Sequence, residues 1–247
     1  CALPILLRGT PSGKDTMFER IALPSGASHA EVMSVFTDAA GTIWYGCGTG
    51  LCKIDNGAGA TEVGVAGGLP IDRWEAILGD LDGNLWVRSA STLYLRAAGS
   101  TQFELQPGLP PSNNTYPTLA LDPAGRLLVP TYRGLARQSK NGWQIIDADQ
   151  GITTNDISAV IQDREGSIWL GLLGSGLARW QGYAEWQNWT THEGLSRESI
   201  WSIARQTLTK RWRAVTPVRA KRTHSTPTSN SGNSSPKPSS MAQIGIV

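Results

Sequence analysis

Apolar positions in this chain come in short runs, not in helical stripes. Trp74-Glu75-Ala76-Ile77-Leu78 and Ile157-Ser158-Ala159-Val160-Ile161 are β-branched or apolar stretches bounded by turn residues, a pattern that predicts buried strands. Each is followed by an Asp-x-x-Gly turn and then by a second apolar run, usually carrying Trp. A Gly-rich turn, such as Gly48-Thr49-Gly50 or Gly174-Ser175-Gly176, leads to a third strand, and a more polar fourth is expected at Ala184 to Trp189. Near the ends, outer strands are expected at Ala2 to Leu7 and Met17 to Leu23, and inner ones at Ser199 to Arg205 and Arg211 to Val215. No segment sustains a helical period.

These elements recur in phase. The unit Asp-x-x-Gly-x-hydrophobic-Trp is anchored on Asp38, Asp80, Asp122 and Asp163, spaced 42, 42 and 41 residues apart, with Trp44, Trp86, Leu128 and Trp169 at its end. Gly68-Leu69, Gly108-Leu109 and Gly151-Ile152 precede the later three copies, and Leu51, Leu93, Leu135 and Leu177 follow the Trp position by seven or eight residues. A fifth copy begins at Gly194-Leu195 but degenerates, with Gln206 at the Asp position, and keeps only Trp212. Four strands in about 42 residues make one blade of a β-propeller. The expected fold is all-β: four-stranded antiparallel blades, about four full ones plus partial ones, arranged as an open arc and not a closed ring. In each unit the Asp should accept backbone N–H groups in the hairpin, the Gly should take the positive φ of the turn, and the Trp should pack between neighbouring sheets.

Composition fits: 28 Gly, 14 Pro and 10 Trp with 17% charged residues suit many short strands and tight turns. Charge divides the chain. Residues 205–247 hold 8 of the 22 Lys and Arg and no acidic residue, whereas the other 14 basic residues face all 20 acidic ones, so +8 at the C-terminus offsets −6 elsewhere. From Thr216 onward the sequence is Thr, Ser, Pro, Asn and Lys with few apolar residues, which predicts a disordered tail over 216–247 and a propeller fragment over 1–215. The repeat stops fitting at Gln206, so this tail reads as a truncation product, without a specific nucleic-acid role. Leu6-Leu7-Arg8 aligns with Tyr94-Leu95-Arg96 inside a blade, so the chain is expected to start within a repeat. No run of 18 apolar residues and no signal peptide is visible.

The repeat resembles that of the two-component regulator propellers: Gly-Leu-(Pro/Ser), a gap, the Asp-x-x-Gly-x-hydrophobic-Trp-x-Gly core, then Gly-Leu. The resemblance covers residues 21 to about 205 and is best over Gly151 to Arg179. Departures are Leu128 in place of Trp, and Arg88 and Pro130 where Gly46 and Gly171 follow the Trp by two. That family builds extracytoplasmic sensor portions of bacterial membrane receptors whose output is a histidine kinase or a diguanylate cyclase. The resemblance therefore implies a seven-bladed type of ring, a periplasmic location, and a membrane link only through missing domains.

Catalytic and metal chemistry finds little support. His29, His192 and His224 lie in separate segments without Cys or acidic partners at ligand spacing. Gly46-Cys47-Gly48-Thr49-Gly50 has the wrong spacing for a dinucleotide loop, and the Asp turns lack the oxygens of a calcium loop. No enzyme, cofactor or metal is expected. Cys47 and Cys52 flank a hairpin turn, and two buried thiols are preferred over a bridge. The loops between successive blades and the turn between second and third strands should share one face, the default place for a ligand. Candidate binding residues delivered there are Arg73, Trp74, Tyr116, Tyr132, Arg133, Asn155, Asp156 and Arg197, with Asn114 and Glu198 nearby. Asp72, Asn114 and Asn155 occupy one repeat position and should brace the loop. The expectation is a sensor fragment that binds a small molecule or glycan fragment and works with the remainder of a receptor chain. An interaction scaffold is the alternative, and a propeller lyase or hydrolase ranks last.

Overall fold

A computed structural model describes residues 6–12, 15–21, 31–55, 59–112, 118–182, 185–205 and 212–215. The expected segments around Asn114 and Tyr116, His29, His224 and the tail from 216 lie outside them. Four four-stranded antiparallel sheets follow one another along the chain, each a simple meander in sequence order. Blade I holds β3 (Val32–Thr37), β4 (Ile43–Cys47), β5 (Gly50–Ile54) and β6 (Ala60–Glu62). Blade II holds β7 (Ala76–Gly79), β8 (Leu85–Arg88), β9 (Leu93–Arg96) and β10 (Glu104–Leu105). Blade III holds β11 (Ala120–Leu121), β12 (Leu127–Thr131), β13 (Gly134–Ser139) and β14 (Gly142–Ile146), and blade IV holds β15 (Ile157–Gln162), β16 (Ile168–Leu172), β17 (Gly176–Gly182) and β18 (Glu185–Trp189). Two-stranded sheets flank them: β1 (Leu7–Ser12) with β2 (Asp15–Arg20), and β19 (Ser202–Arg205) with β20 (Trp212–Val215). First strands of successive sheets pack together, β3 on β7, β11 on β15 and β15 on β19, as in a β-propeller. Among the described residues the flanking pairs remain separate sheets and do not join into one closing blade.

Each repeat position has a physical task. In blade I the Asp38 carboxylate accepts from the backbone N–H groups of Ala40 and Thr42, both at 3.0 Å, and its other oxygen accepts from the Trp44 indole at 2.9 Å. Asp80 with Trp86 (2.9 Å) and Asp163 with Trp169 (2.8 Å) repeat the arrangement. The Asp therefore ties the turn to the next strand as well as capping it. Blade III lacks the Trp, and there Arg126 Nε donates to the Asp122 oxygen at 2.7 Å in its stead. The Gly-hydrophobic pair ends the connection between blades: Gly68 (φ 84°) and Gly151 (φ 93°) each close a single 3₁₀ turn, and Leu69 and Ile152 behind them are buried.

The core is divided among the junctions. Trp44 faces blade II and packs with Leu69, Trp74, Leu85, Val87 and Phe103, whereas its neighbour Tyr45 faces the N-terminal pair with Cys47, Cys52 and Ile54. Trp86 in turn meets Leu127, Val129 and Ala136 of blade III. The largest layer joins blades III and IV around Leu128, Ile157, Leu170 and Leu172, and a last one gathers Leu177, Leu195 and Ile200. Strand alternation thus turns each apolar strand into a two-sided layer.

Two expectations need correction. The first two strands run over Leu7–Ser12 and Asp15–Arg20 and pair antiparallel, beyond the expected end at Leu7 and before the expected start at Met17, while residues 2–5 and 22–23 of the expected strands lie outside the described residues. Cys47 and Cys52 are disulfide-bonded and are not free thiols. Tyr45 pairs with Cys52 and Cys47 with Gly50, so the two cysteines are diagonal neighbours on one side of the β4–β5 hairpin. Their Cα atoms are 5.9 Å apart, within the range a bridge spans.

Candidate functional site

In a four-stranded meander the turn between the second and third strands of each blade and the loop to the next blade leave the sheet at the same end. Hydrogen bonds link them in every blade. Gly48 N donates to Glu31 O (2.9 Å) and Asp72 N to Thr49 O (3.1 Å) around blades I and II. Ser112 N to Ala90 O (2.8 Å) and Tyr132 N to Pro111 O (3.0 Å) do the same around blades II and III, and Leu173 N to Asp156 O (2.9 Å) and Gly176 N to Glu198 O (2.7 Å) around blade IV. One face is therefore a ring segment of loops fixed to one another, a rigid base for side chains.

The candidate residues divide on this face. Tyr132 is 55% exposed, Arg133, Asp156 and Arg197 are also exposed, and Trp201, a further aromatic, is 50% exposed. Arg73 is held in place: its Nε lies 3.5 Å from Glu75 Oε1, and its Nη2 lies 3.8 Å from Glu31 Oε2 and 3.2 Å from Met33 Sδ. Trp74 belongs elsewhere. It is fully buried, edge-on to Tyr94 at 5.6 Å, and its carbonyl accepts from Ser34 Oγ at 2.7 Å, so it is a core residue of the blade I–II layer and not a surface contact. Its large apolar ring gains more from that layer than from the mouth. Asp72 braces its loop by accepting from Arg73 N at 2.8 Å, whereas Asn155 buries its Oδ1 without a partner.

Two further groups at this end escaped the sequence reading. Arg88, the last residue of β8, is only 1% exposed, and both its Nη atoms are buried without hydrogen-bond partners. Burial pushes its pKa down to about 10, opposed by the charge of Glu75. Burial likewise raises the Glu75 carboxyl above its usual range, with the Arg73 charge opposing, and Oε2 of Glu75 also lacks a partner. The only sequence signal was an arginine where Gly46 and Gly171 stand in sister blades.

At the opposite end a cavity of about 830 Å³ opens between blades I and II. Arg96 lies over the Trp44 ring at 4.9 Å, Lys53 at 5.9 Å, and Phe36 and Phe103 complete its apolar wall. Among the described residues no cluster of three or more His, Cys, Asp or Glu is arranged to hold a metal, and no helix is long and apolar enough to cross a membrane. His192 is exposed in the turn after β18.

No known protein family and no curated protein matches the chain by sequence. Solved structures do match. The extracellular domain of a hybrid two-component system from B. thetaiotaomicron superposes with a TM-score of 0.66 at 15% identity, covering 87% of this chain and 32% of that one. Virginiamycin B lyase from Staphylococcus aureus gives 0.62 at 14% identity, covering 82% and 68%. YCF48 from Cyanidioschyzon merolae gives 0.58 at 13% identity, covering 85% and 73%. At these identities the likeness establishes the shared propeller fold. The chain spans only about a third of the two-component domain.

Proposed function

We propose that this chain is the ligand-reading propeller portion of a bacterial extracytoplasmic receptor, with no reaction of its own, and that it passes its state to the remainder of the receptor chain. The observation that carries this reading is the loop face: a hydrogen-bonded, regular scaffold on which Arg73, Tyr132, Arg133 and Arg197 are the exposed or half-exposed residues that differ from blade to blade. An aromatic ring beside guanidinium groups suits a sugar or another small polar molecule, with stacking on one side and hydrogen bonds on the other. The repeat-level resemblance to two-component regulator propellers supports a sensor over a scaffold. The Cys47–Cys52 bridge favours an oxidising compartment such as the periplasm.

The test is thermal denaturation of the full chain against a set of mono- and disaccharides and small organic acids. A ligand at about a hundred times its Kd should stabilise by about 2.7 kcal/mol, a shift of several degrees. Tyr132→Ala and Arg133→Ala should each remove most of it. A shift that survives both substitutions, or no shift with any compound, would contradict the proposal.

A further inference from the structure

The cavity between blades I and II, at the end away from the loop mouth, lies where blade II departs from the repeat at two positions. Arg96 comes three residues after Leu93, and the residues three beyond Leu135 and Leu177 are Gln138 and Trp180. In blade IV, Trp180 packs against the blade III–IV layer, stacked with Trp186 at 6.2 Å and covered by the Arg137 guanidinium at 5.1 Å. Blade II presents a guanidinium where blade IV has that ring. Gly79 precedes Asp80 where Leu121 precedes Asp122, and Leu121 packs into the blade II–III layer. At Gly79 the tip of Phe36 takes that room, for a Cβ there would lie 2.7 Å from Phe36 Cζ. What remains is a space of about 830 Å³, walled on its apolar side by Phe36, Trp44, Val63, Leu85 and Phe103, a size that suits a small molecule.

The charges in its wall are unevenly spent. Asp38 and Asp80 are occupied by their own turns and by the Trp44 and Trp86 indoles. Asp55 holds Lys53 Nζ at 2.7 Å, and Glu62 lies back along β5, its Oε1 2.6 Å from where a Cβ on Gly50 would stand. Arg96 is the cation left over: it rests on the Trp44 ring at 4.9 Å, its Nη1 donates to Ser100 O at 3.0 Å, its Nε is buried without a partner, and among the described residues no carboxylate pairs with it. A guanidinium fixed on an aromatic face with donors to spare, beside apolar walls, matches an oxyanion carried on a flat apolar body. We propose that this cavity is a second binding site, for an aromatic ring bearing an oxyanion, with the ring against Phe36 and Phe103 and the anion on Arg96. The bound ring takes the part that Trp180 plays between blades III and IV. The site stands apart from the loop face and does not depend on how that face is read.

The experiment is calorimetry of the full chain with naphthalene-2-sulfonate and its neutral analogue naphthalene-2-sulfonamide. The sulfonate should bind, and the sulfonamide should bind at least ~10-fold more weakly, because it leaves the guanidinium without its anion. Arg96→Gln, which places at this position the residue type that blade III carries there, should weaken sulfonate binding by at least ~10-fold and leave the sulfonamide unchanged. Should Arg96→Gln fail to fold, Thr101→Trp, which adds an indole at the exposed rim of the cavity, should block both probes. No binding of the sulfonate, equal affinity for the two probes, or sulfonate binding that survives these substitutions overturns the assignment. Sulfonate binding that is lost in Tyr132→Ala and kept in Arg96→Gln puts the ring on the loop face and likewise overturns it. A saccharide bound through Tyr132 and Arg133 by a protein that ignores the sulfonate leaves the loop-face reading standing and fells this assignment alone.

Discussion

The carboxylate of Asp80 accepts from the N–H groups of Asp82 and Asn84, from the Asn84 amide and from the Trp86 indole, all at 2.9 to 3.0 Å. Burial alone would raise its pKa, but the bonds from Asn84, Trp86 and the turn backbone outweigh it and hold the carboxyl below its usual value. A depressed folded-state pKa contributes stability above the unfolded value, near 3.9, and loses it as pH falls through the folded one. Wild type should therefore lose stability on acidification below about pH 4 more steeply than Asp80→Asn, compared by urea melts at pH 7 and pH 3. Gly46→Ala should cost about 2 kcal/mol or more, since the methyl meets the Trp74 carbonyl and backbone must move. Period and turn chemistry made the roles of Asp and Gly legible in the sequence. The Asp–Trp bond was not, because it depends on a rotamer, although Arg126 appearing in the one copy without Trp was a usable sign. Arg88 was visible as a departure from Gly, but its burial could only come from packing.

At the scale of elements, the Gly-hydrophobic motif was readable as a mark between strands, and the structure explains it as the end of a 3₁₀ turn that plugs a core position. Trp74 shows why the mouth was harder to read. Arg73, at the surface, is the immediate neighbour of the fully buried Trp74 ring, and only the packing of blade II on blade I decides which is which. Strand boundaries at the N-terminus slipped for a related reason: alternation without a burial partner leaves register open. The β4–β5 hairpin supplies its own prediction. The chain has three cysteines, two of them bridged, so denatured unreduced protein should titrate one thiol. A count of three would contradict the bridge. Reduction should lower stability by about 2 kcal/mol, given the short loop it closes, measurable as a shift in the urea midpoint.

Among the described residues, the core is a series of layers, each gathering side chains at the junction of successive sheets. Stability should then behave as a sum of junction terms. Leu170→Ala, in the blade III–IV layer, should cost about 3 kcal/mol and speed amide exchange in β12 and β15 to β17 before it affects β4 and β5. Uniform acceleration across all blades would argue for a single cooperative core. The same layering frees the loop face to vary, because the Asp, Gly and Trp of each unit carry the fold. The most direct test of that division is a backbone amide NMR titration of the full chain with whichever saccharide or small organic acid raises its melting temperature. Shifts confined to residues 72–75, 131–133, 153–156 and 196–198 are predicted. Shifts centred on the Asp turns at 38–42, 80–84, 122–126 and 163–167, with the loop face silent, would contradict it.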